Sequence, residues 1–370
     1  MFSKIIIVSA FGRSGSGILT SLLDGHSNII NFPDALLSGY YLWWNQVKNY
    51  NLENKIKSFI KTYNVIFDPK DEKTLVPGLG YNFGIHSNFN GSEEMGTQDI
   101  KINKLEFSEI LKETTEHENT QFKFFIKIHE ALAKVLSKNN KSLIILVCIP
   151  NLIVKKIEFL LNQNNLKVYH LQMIREPYYS HLAQINNWIE DKQLIENPIR
   201  RILQQVIKHN NPIKISNIEK RCVKLEELHK FPEKTLSSIC DFFKIGYEKI
   251  ITRSTFFKID WLFAKNKKYF QPFNEDYISI EKYKYIDDKE LKSIFQFLFK
   301  EMYVKWNYDL SINLSFYIFF FKKTKIEKIF KTSFIEIIKI RIIIFFMILS
   351  KLLKPNKEIL PDLIESDSKP

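Results

Sequence analysis

The stretch "KIIIVSAFGRSGSGILTSLLDGH", residues 4–26, constrains the fold more than any other part of the chain. Ile5, Ile6, Ile7 and Val8 form an unbroken β-branched run, the pattern of a strand buried on both faces of a parallel sheet. Gly12, Gly15 and Gly17 then let the backbone turn tightly. Ile18, Leu19, Leu22 and Leu23 share one helical face, and Gly25 ends the helix. A strand over 4–9, a turn over 14–17 and a helix over 17–25 make the first unit of an alternating α/β fold. Such a turn aims backbone amides and a helix dipole at an anion, so it reads as a phosphate-binding loop. Arg13 adds a permanent charge and forked donors suited to phosphate or sulfate oxygens, and Ser14 and Ser16 add hydroxyls. The lysine that a nucleotide-hydrolysing P-loop carries just after its last glycine is missing, because Ile18 stands there.

Similar units follow. "SLIILVCI" (142–149), "KVYHLQMI" (167–174) and "RCVKL" (221–225) read as further buried strands. Residues 232–243 read as a helix started by Pro232, with Leu236, Ile239, Cys240 and Phe243 on one face. Residues 52–62 look like a short amphipathic helix. "FKFFIKIHEALAKVL" (122–136) alternates at first and reads as a strand running into a helix. Residues 68–100, with Pro77 and several glycines, read as a long loop of the kind that often carries function. The expected fold is α/β, a P-loop-like three-layer sandwich around a central parallel sheet. It comprises a domain over 1–310 and a helical C-terminal extension over 311–370.

Charge and cysteine usage narrow the partners. The net charge is +13, yet residues 311–357 hold ten Lys or Arg against two Glu. Most of the excess is therefore in the tail, and no nucleic-acid partner is expected for the domain. Cys148, Cys222 and Cys240 have no metal-ligand spacing and read as small core residues, so no metal is expected. The first strand begins at Lys4 with no apolar leader before it, which gives a cytoplasmic expectation.

Three segments carry a resemblance. "GRSGSG" followed by "LLDGHSNI" resembles the sulfotransferases that use 3′-phosphoadenosine 5′-phosphosulfate, especially their carbohydrate and bacterial branches. The resemblance implies that Gly12, Arg13, Ser14, Gly15, Ser16 and Gly17 hold the donor's 5′-phosphosulfate, with Arg13 stabilising charge on the bridging oxygen. Gly17 departs from the pattern, which usually has Thr or Ser there. "VYHLQMIREPYYSHLAQ" resembles the site for the donor's 3′-phosphate. It implies Arg175 as one holder, and Ser180 in place of the usual serine, whose position is Ala183. "CVKLEELHKFPEKTLSSICDFFKI" resembles a structural segment of the same family.

Sulfuryl transfer also needs a base for the acceptor hydroxyl. "IKIHEALAKVL" resembles the family's strand with a Lys-x-His element, which implies Lys127 and His129. Asp34 in "HSNIINFPDALLSG" lies where other members place a carboxylate base, and the choice stays open. Arg253 and the Lys265, Lys267 and Lys268 cluster fall where members close a loop over the donor. The implied reaction moves a sulfuryl group to a hydroxyl, the acceptor being a sugar of a glycan or glycolipid. A P-loop kinase would need the missing lysine. A membrane-associated binding protein without enzymatic activity would use the basic tail alone.

In that tail Ile329, Phe330, Phe334, Ile337 and Ile338 follow helical spacing, and Ile342–Leu349 is unbroken apolar sequence. Crossing a bilayer takes about 20 apolar residues. Two readings stand side by side: a basic amphipathic helix on an anionic membrane surface, peripheral on its inner face, or helices packed on the domain.

Overall fold

The computed structural model of the chain describes residues 2–33, 35–68, 102–114, 120–137, 143–149, 154–161, 166–190, 192–210, 218–257, 259–260, 263–265, 268–270, 272–274, 276, 278–312, 319–353 and 360–364. It is an α/β fold with a central six-stranded sheet. The strands are β1 (Phe2–Ala10), β2 (Ile29–Asn31), β3 (Leu143–Cys148), β4 (Lys167–Ile174), β5 (Ile218–Lys224) and, far along the chain, β10 (Asp362–Leu363). Their order is β10-β5-β4-β1-β3-β2, and every pairing is parallel. Two short antiparallel ribbons lie apart from it, β6 (Thr255–Phe256) with β7 (Ile259–Asp260), and β8 (Phe263–Lys265) with β9 (Lys268–Phe270).

The β-branched run of β1 is buried on both faces, as its pattern requires. Ile5 and Ile7 join Ile145 and Val147 on one face. There they pack against α2 (Tyr40–Val47), α3 (Leu52–Thr62) and α5 (Gln121–Val135), while α4 (Lys104–Thr114) packs on α3 and α5. Helix α6 (Val154–Leu161) adds Ile157 and Leu160 to the same layer. Ile6 and Val8 join Ile144, Leu146 and Leu171 on the other face, covered by α1 (Ser16–Leu23) and α10 (Pro232–Phe243). A short α9 (Leu225–Lys230) precedes α10. A third cluster gathers α7 (Pro177–Glu190), α8 (Pro198–Asn210), α11 (Lys289–Leu298) and α12 (Lys300–Lys305) around Phe11, Ile174 and Cys222. All three cysteines are buried and unbridged.

The strand expected at the start of 122–136 is absent. Helix α5 runs through the whole stretch, capped by Thr120, whose hydroxyl accepts from Lys123 N at 3.2 Å. Phe124, Phe125, Ile128, Ala131 and Leu132 form its buried stripe. That spacing is helical, and the alternation of "FKFFIKI" is one edge of it. The long loop expected over 68–100 lies outside the described residues apart from Asp68.

The segment after residue 310 is helical but not detached. Helix α13 (Lys325–Ile329) opens with a capping box between Thr324 and Glu327. Helix α14 (Phe334–Leu353) buries Ile340, Ile344 and Ile348 in the third cluster. Arg341 of α14 grips Glu327 of α13 through two bonds of 2.6 and 2.7 Å, with both side chains buried. Beyond α14 the chain returns to the sheet, where Asp362 and Leu363 pair with Arg221 and Cys222 of β5. The segment supplies both a packing helix and an edge strand.

Candidate active site

Strand β1 sits where the sheet order reverses, because β2 and β3 lie to one side of it and β4 to the other. Parallel sheets bind ligands off the carboxyl ends of their strands at such a point. The Gly/Ser loop leaves β1 there. Gly12 and Gly15 have φ of 64° and 85°, in the left-handed region that favours glycine. A Cβ on Gly15 would also stand 2.5 Å from Leu225 Cδ1.

Ser14 is the loop's fastener. Its hydroxyl donates to the Met173 carbonyl at 2.6 Å and accepts from Phe11 N at 3.0 Å. Phe11 N also donates to Met173 O at 2.9 Å, so the loop is tied to the end of β4. The Ser14 hydroxyl is thus committed inside the protein, and what Ser14 offers a ligand is its backbone amide. Gly15 is the N-cap of α1, no side chain caps the helix, and its first turn holds no acidic residue. Leu19 N, bonded to Gly15 O at 3.2 Å, is the first amide satisfied within the helix. The amides of Ser16, Gly17 and Ile18 head an uncapped N-terminus, which attracts an anion.

Arg13 is exposed above this loop, and its N–H donates to Ser180 O at 3.4 Å. With its amide turned so that the oxygen faces Arg13, Asn187 accepts from Arg13 Nη2 at 2.7 Å and from Nε at 3.1 Å. Those bonds fix the guanidinium plane and leave Nη1 for a ligand. Asn187 is the residue the sequence reading missed. Ser180, Gln184 and Asn187 recur at helical spacing along α7, and that stripe is the signal. The Gln184 Oε1 between them is buried with no hydrogen-bond partner among the described residues.

Ser180 does not join Arg175. It is fully buried beneath the loop, its hydroxyl donating to Pro177 O at 3.1 Å and lying 2.9 Å from His181 Nδ1. A Cβ on Gly12 would stand 2.6 Å from its oxygen. Ser180 therefore supports the loop from beneath. Arg175 emerges just past β4, only 3% exposed. Its guanidinium donates to Ile278 O at 3.1 Å and lies 5.5 Å from the Tyr283 ring centroid. These partners come from about a hundred residues away, which no local pattern reveals. Beside it, burial and then the Arg175 charge push the His229 imidazole down to about 4.

The change from strand to helix also separates the expected Lys-x-His pair. Residues two apart point the same way on a strand but to opposite sides of a helix. Lys127 is half-exposed and pairs with Glu130 at 2.7 Å. His129 is fully buried, with Nδ1 2.8 Å from the Phe125 carbonyl and the Phe32 ring packed edge-on at 5.2 Å. A carbonyl can only accept, so Nδ1 carries the proton and Nε2 the lone pair. Burial pushes the imidazole down to about 4, and Nε2 has no partner among the described residues. Asp34 lies outside the described residues.

Arg253 is exposed but is not brought to the loop. Its N–H bonds Ile250 O at 3.0 Å, and a Cβ on Gly25, at the far end of α1, would stand 3.3 Å from that oxygen. Ser254 and Thr255, next in the chain, bond Ser21 and Asp24 of the same helix end. Lys267 lies outside the described residues, as do the side chains of Lys265 and Lys268.

No protein-family profile matches the chain, and no curated protein matches it. Among solved structures the chain is similar to the sulfotransferase domain from the curacin biosynthetic pathway, at 19% identity and a TM-score of 0.40, covering 69% of this chain and 78% of that one. It is also similar to the sulfotransferase domain from the Synechococcus PCC 7002 olefin synthase, at 17% identity and a TM-score of 0.34, with the same two coverages.

Proposed function

We propose that the protein is a sulfotransferase that moves a sulfuryl group from 3′-phosphoadenosine 5′-phosphosulfate to a hydroxyl, the acceptor being a sugar of a glycan or glycolipid. The observation that carries this reading is the uncapped glycine loop that lacks the P-loop lysine and carries Arg13 as its cation, oriented by Asn187. The loop amides and Arg13 would take the phosphosulfate, and Arg13 would neutralise charge that grows on the leaving bridging oxygen. Arg175, at the end of the neighbouring strand, is the second cation and takes the 3′-phosphate. To do so it exchanges Ile278 O and the Tyr283 ring for the phosphate, so the segment carrying them shifts when the donor binds.

For the acceptor proton the reading favours Asp34. His129 has a base-ready tautomer but is sealed between Phe32 and Phe125, on the opposite side of its helix from Lys127. Asp34 offers a carboxylate, and ordinary carboxylates are ionised at neutral pH.

The test is isothermal titration with adenosine 3′,5′-bisphosphate beside adenosine 5′-monophosphate and ATP–magnesium, repeated on Arg175→Ala with its melting curve as a fold check. Selective binding of the bisphosphate, weakened at least tenfold in a folded Arg175→Ala, supports the reading. Preference for ATP–magnesium, or no nucleotide binding, overturns it.

A further inference from the structure

The outer half of α14 has no cover among the described residues. Its inner half is spent on the protein: Ile337, Ile340, Ile344 and Ile348 are buried. The other half presents Ile335, Ile338, Ile342, Phe345, Phe346 and Leu349, all at least 38% exposed. A soluble surface seldom leaves so continuous an apolar strip to water. The strip extends sideways, since Phe320 packs against Phe345 at 6.5 Å between ring centroids and the next residue, Phe321, is 88% exposed.

Within residues 319–353 the exposed charges are of one sign. The only carboxylates in residues 319–353 are Glu327 and Glu336. Glu327 is buried under Arg341, and Glu336 is buried under Lys339 and near Arg200. Lys322, Lys323, Lys328, Lys331 and Lys339 are exposed, and Lys328 and Lys331 meet no carboxylate among the described residues. The Lys322 carbonyl accepts from Arg341 Nη2 at 3.1 Å, which ties its backbone to α14.

We propose that this face lies on an anionic lipid bilayer, with α14 parallel to the surface, its phenylalanines and isoleucines among the acyl chains and the lysines among the headgroups. An apolar face rimmed by lysine matches that partner in both hydrophobicity and charge. A second copy of the chain matches it less well: a two-fold interface sets the same patch against itself and so lysine rim against lysine rim. A crossing is excluded for the described helices, none of which is long and apolar enough to span a membrane.

The experiment is flotation of the full chain with vesicles of phosphatidylcholine alone and of phosphatidylcholine with phosphatidylglycerol. It is repeated at raised salt and with the variants Ile342→Asp/Phe346→Asp and Lys328→Gln/Lys331→Gln, each checked by thermal melting. The wild-type chain is expected to float with the anionic vesicles, less so at high salt. The aspartate pair abolishes flotation. Each lysine lost weakens partition about fivefold, the ratio equivalent to about 1 kcal/mol per basic residue at such a surface. Both pairs are at exposed positions, so they are expected to melt as wild type; the lysine pair decides the matter if the aspartate pair does not fold. Absence of flotation overturns the proposal, as does flotation that both folded variants retain. So does a dimer in light scattering that Ile342→Asp/Phe346→Asp dissociates while vesicles stay unbound. This proposal is independent of the sulfotransferase reading, because it needs no nucleotide.

Discussion

Replacing Gly12 with alanine would place a methyl group 2.6 Å from the Ser180 hydroxyl oxygen and 3.3 Å from the His181 ring, on a backbone with φ of 64°. Two costs add. Holding an L-residue left-handed costs about 1–2 kcal/mol. Ser180 must also turn away and give up its bonds to Pro177 O and His181, worth about 1 kcal/mol each. The sum is about 3–4 kcal/mol, measurable by urea denaturation. A double-mutant cycle separates the two parts. Ser180→Ala alone loses the hydroxyl bonds, and in its presence Gly12→Ala meets no oxygen. The pair is therefore expected to cost about 1–2 kcal/mol less than the sum of the singles, the hydroxyl bonds being lost only once. Affinity for adenosine 3′,5′-bisphosphate should fall in Gly12→Ala, because the tilted loop no longer aims its amides together. Strict additivity, or a cost of Gly12→Ala below about 0.5 kcal/mol, would refute the claim that Ser180 and Gly12 are packed face to face under the loop.

Two further outcomes are expected. Arg341→Met should destabilise by about 3–5 kcal/mol in a denaturant melt, since it strands Glu327 as a buried unpaired carboxylate; the double variant with Glu327→Leu should recover most of that loss. His129 is held near 4 against an ordinary 6.5, so the unfolded chain takes up its proton first. Its contribution is complete above pH 6.5 and is lost as pH falls toward 4, on the order of 2–3 kcal/mol by the lower limit. A His129→Leu variant should flatten that limb of the stability profile and keep most of its sulfuryl-transfer turnover, whereas Asp34→Asn should lose about a hundredfold or more. The reverse pattern of turnover would return the base to His129.

The sheet was legible where a strand is a continuous apolar run. Such runs in β1, β3 and β4 have one physical explanation, burial on both faces between helices. The two-residue β10 has no such run, and its place beside β5 is set by tertiary contacts: Lys305 and Arg221 hold the Asp362 carboxylate. In α5, four apolar residues at every second position imitated a strand, while the N-cap at Thr120 and the longer stripe decided for helix. Around the loop, the glycines were legible because their conformation is a local property. The partner of each polar group was not. Ser14 turned inward to Met173, Ser180 sank beneath Gly12, and Arg13 found Asn187 because of how α7 crosses the end of β1.

Strand β10 has a mechanical consequence for α14. The helix is riveted before its middle by Arg341 to α13, and later by Lys351 to Glu301 at 2.5 Å, before the chain is stitched into the sheet at Arg221 and Cys222. It therefore has no freedom to swing on a leash. Whatever α14 rests on would fix the attitude of the whole body: the pitch and roll of the sheet, and with them the direction in which the Gly12–Gly17 loop opens. A surface-bound copy would then present that loop at one constant height and angle above the surface.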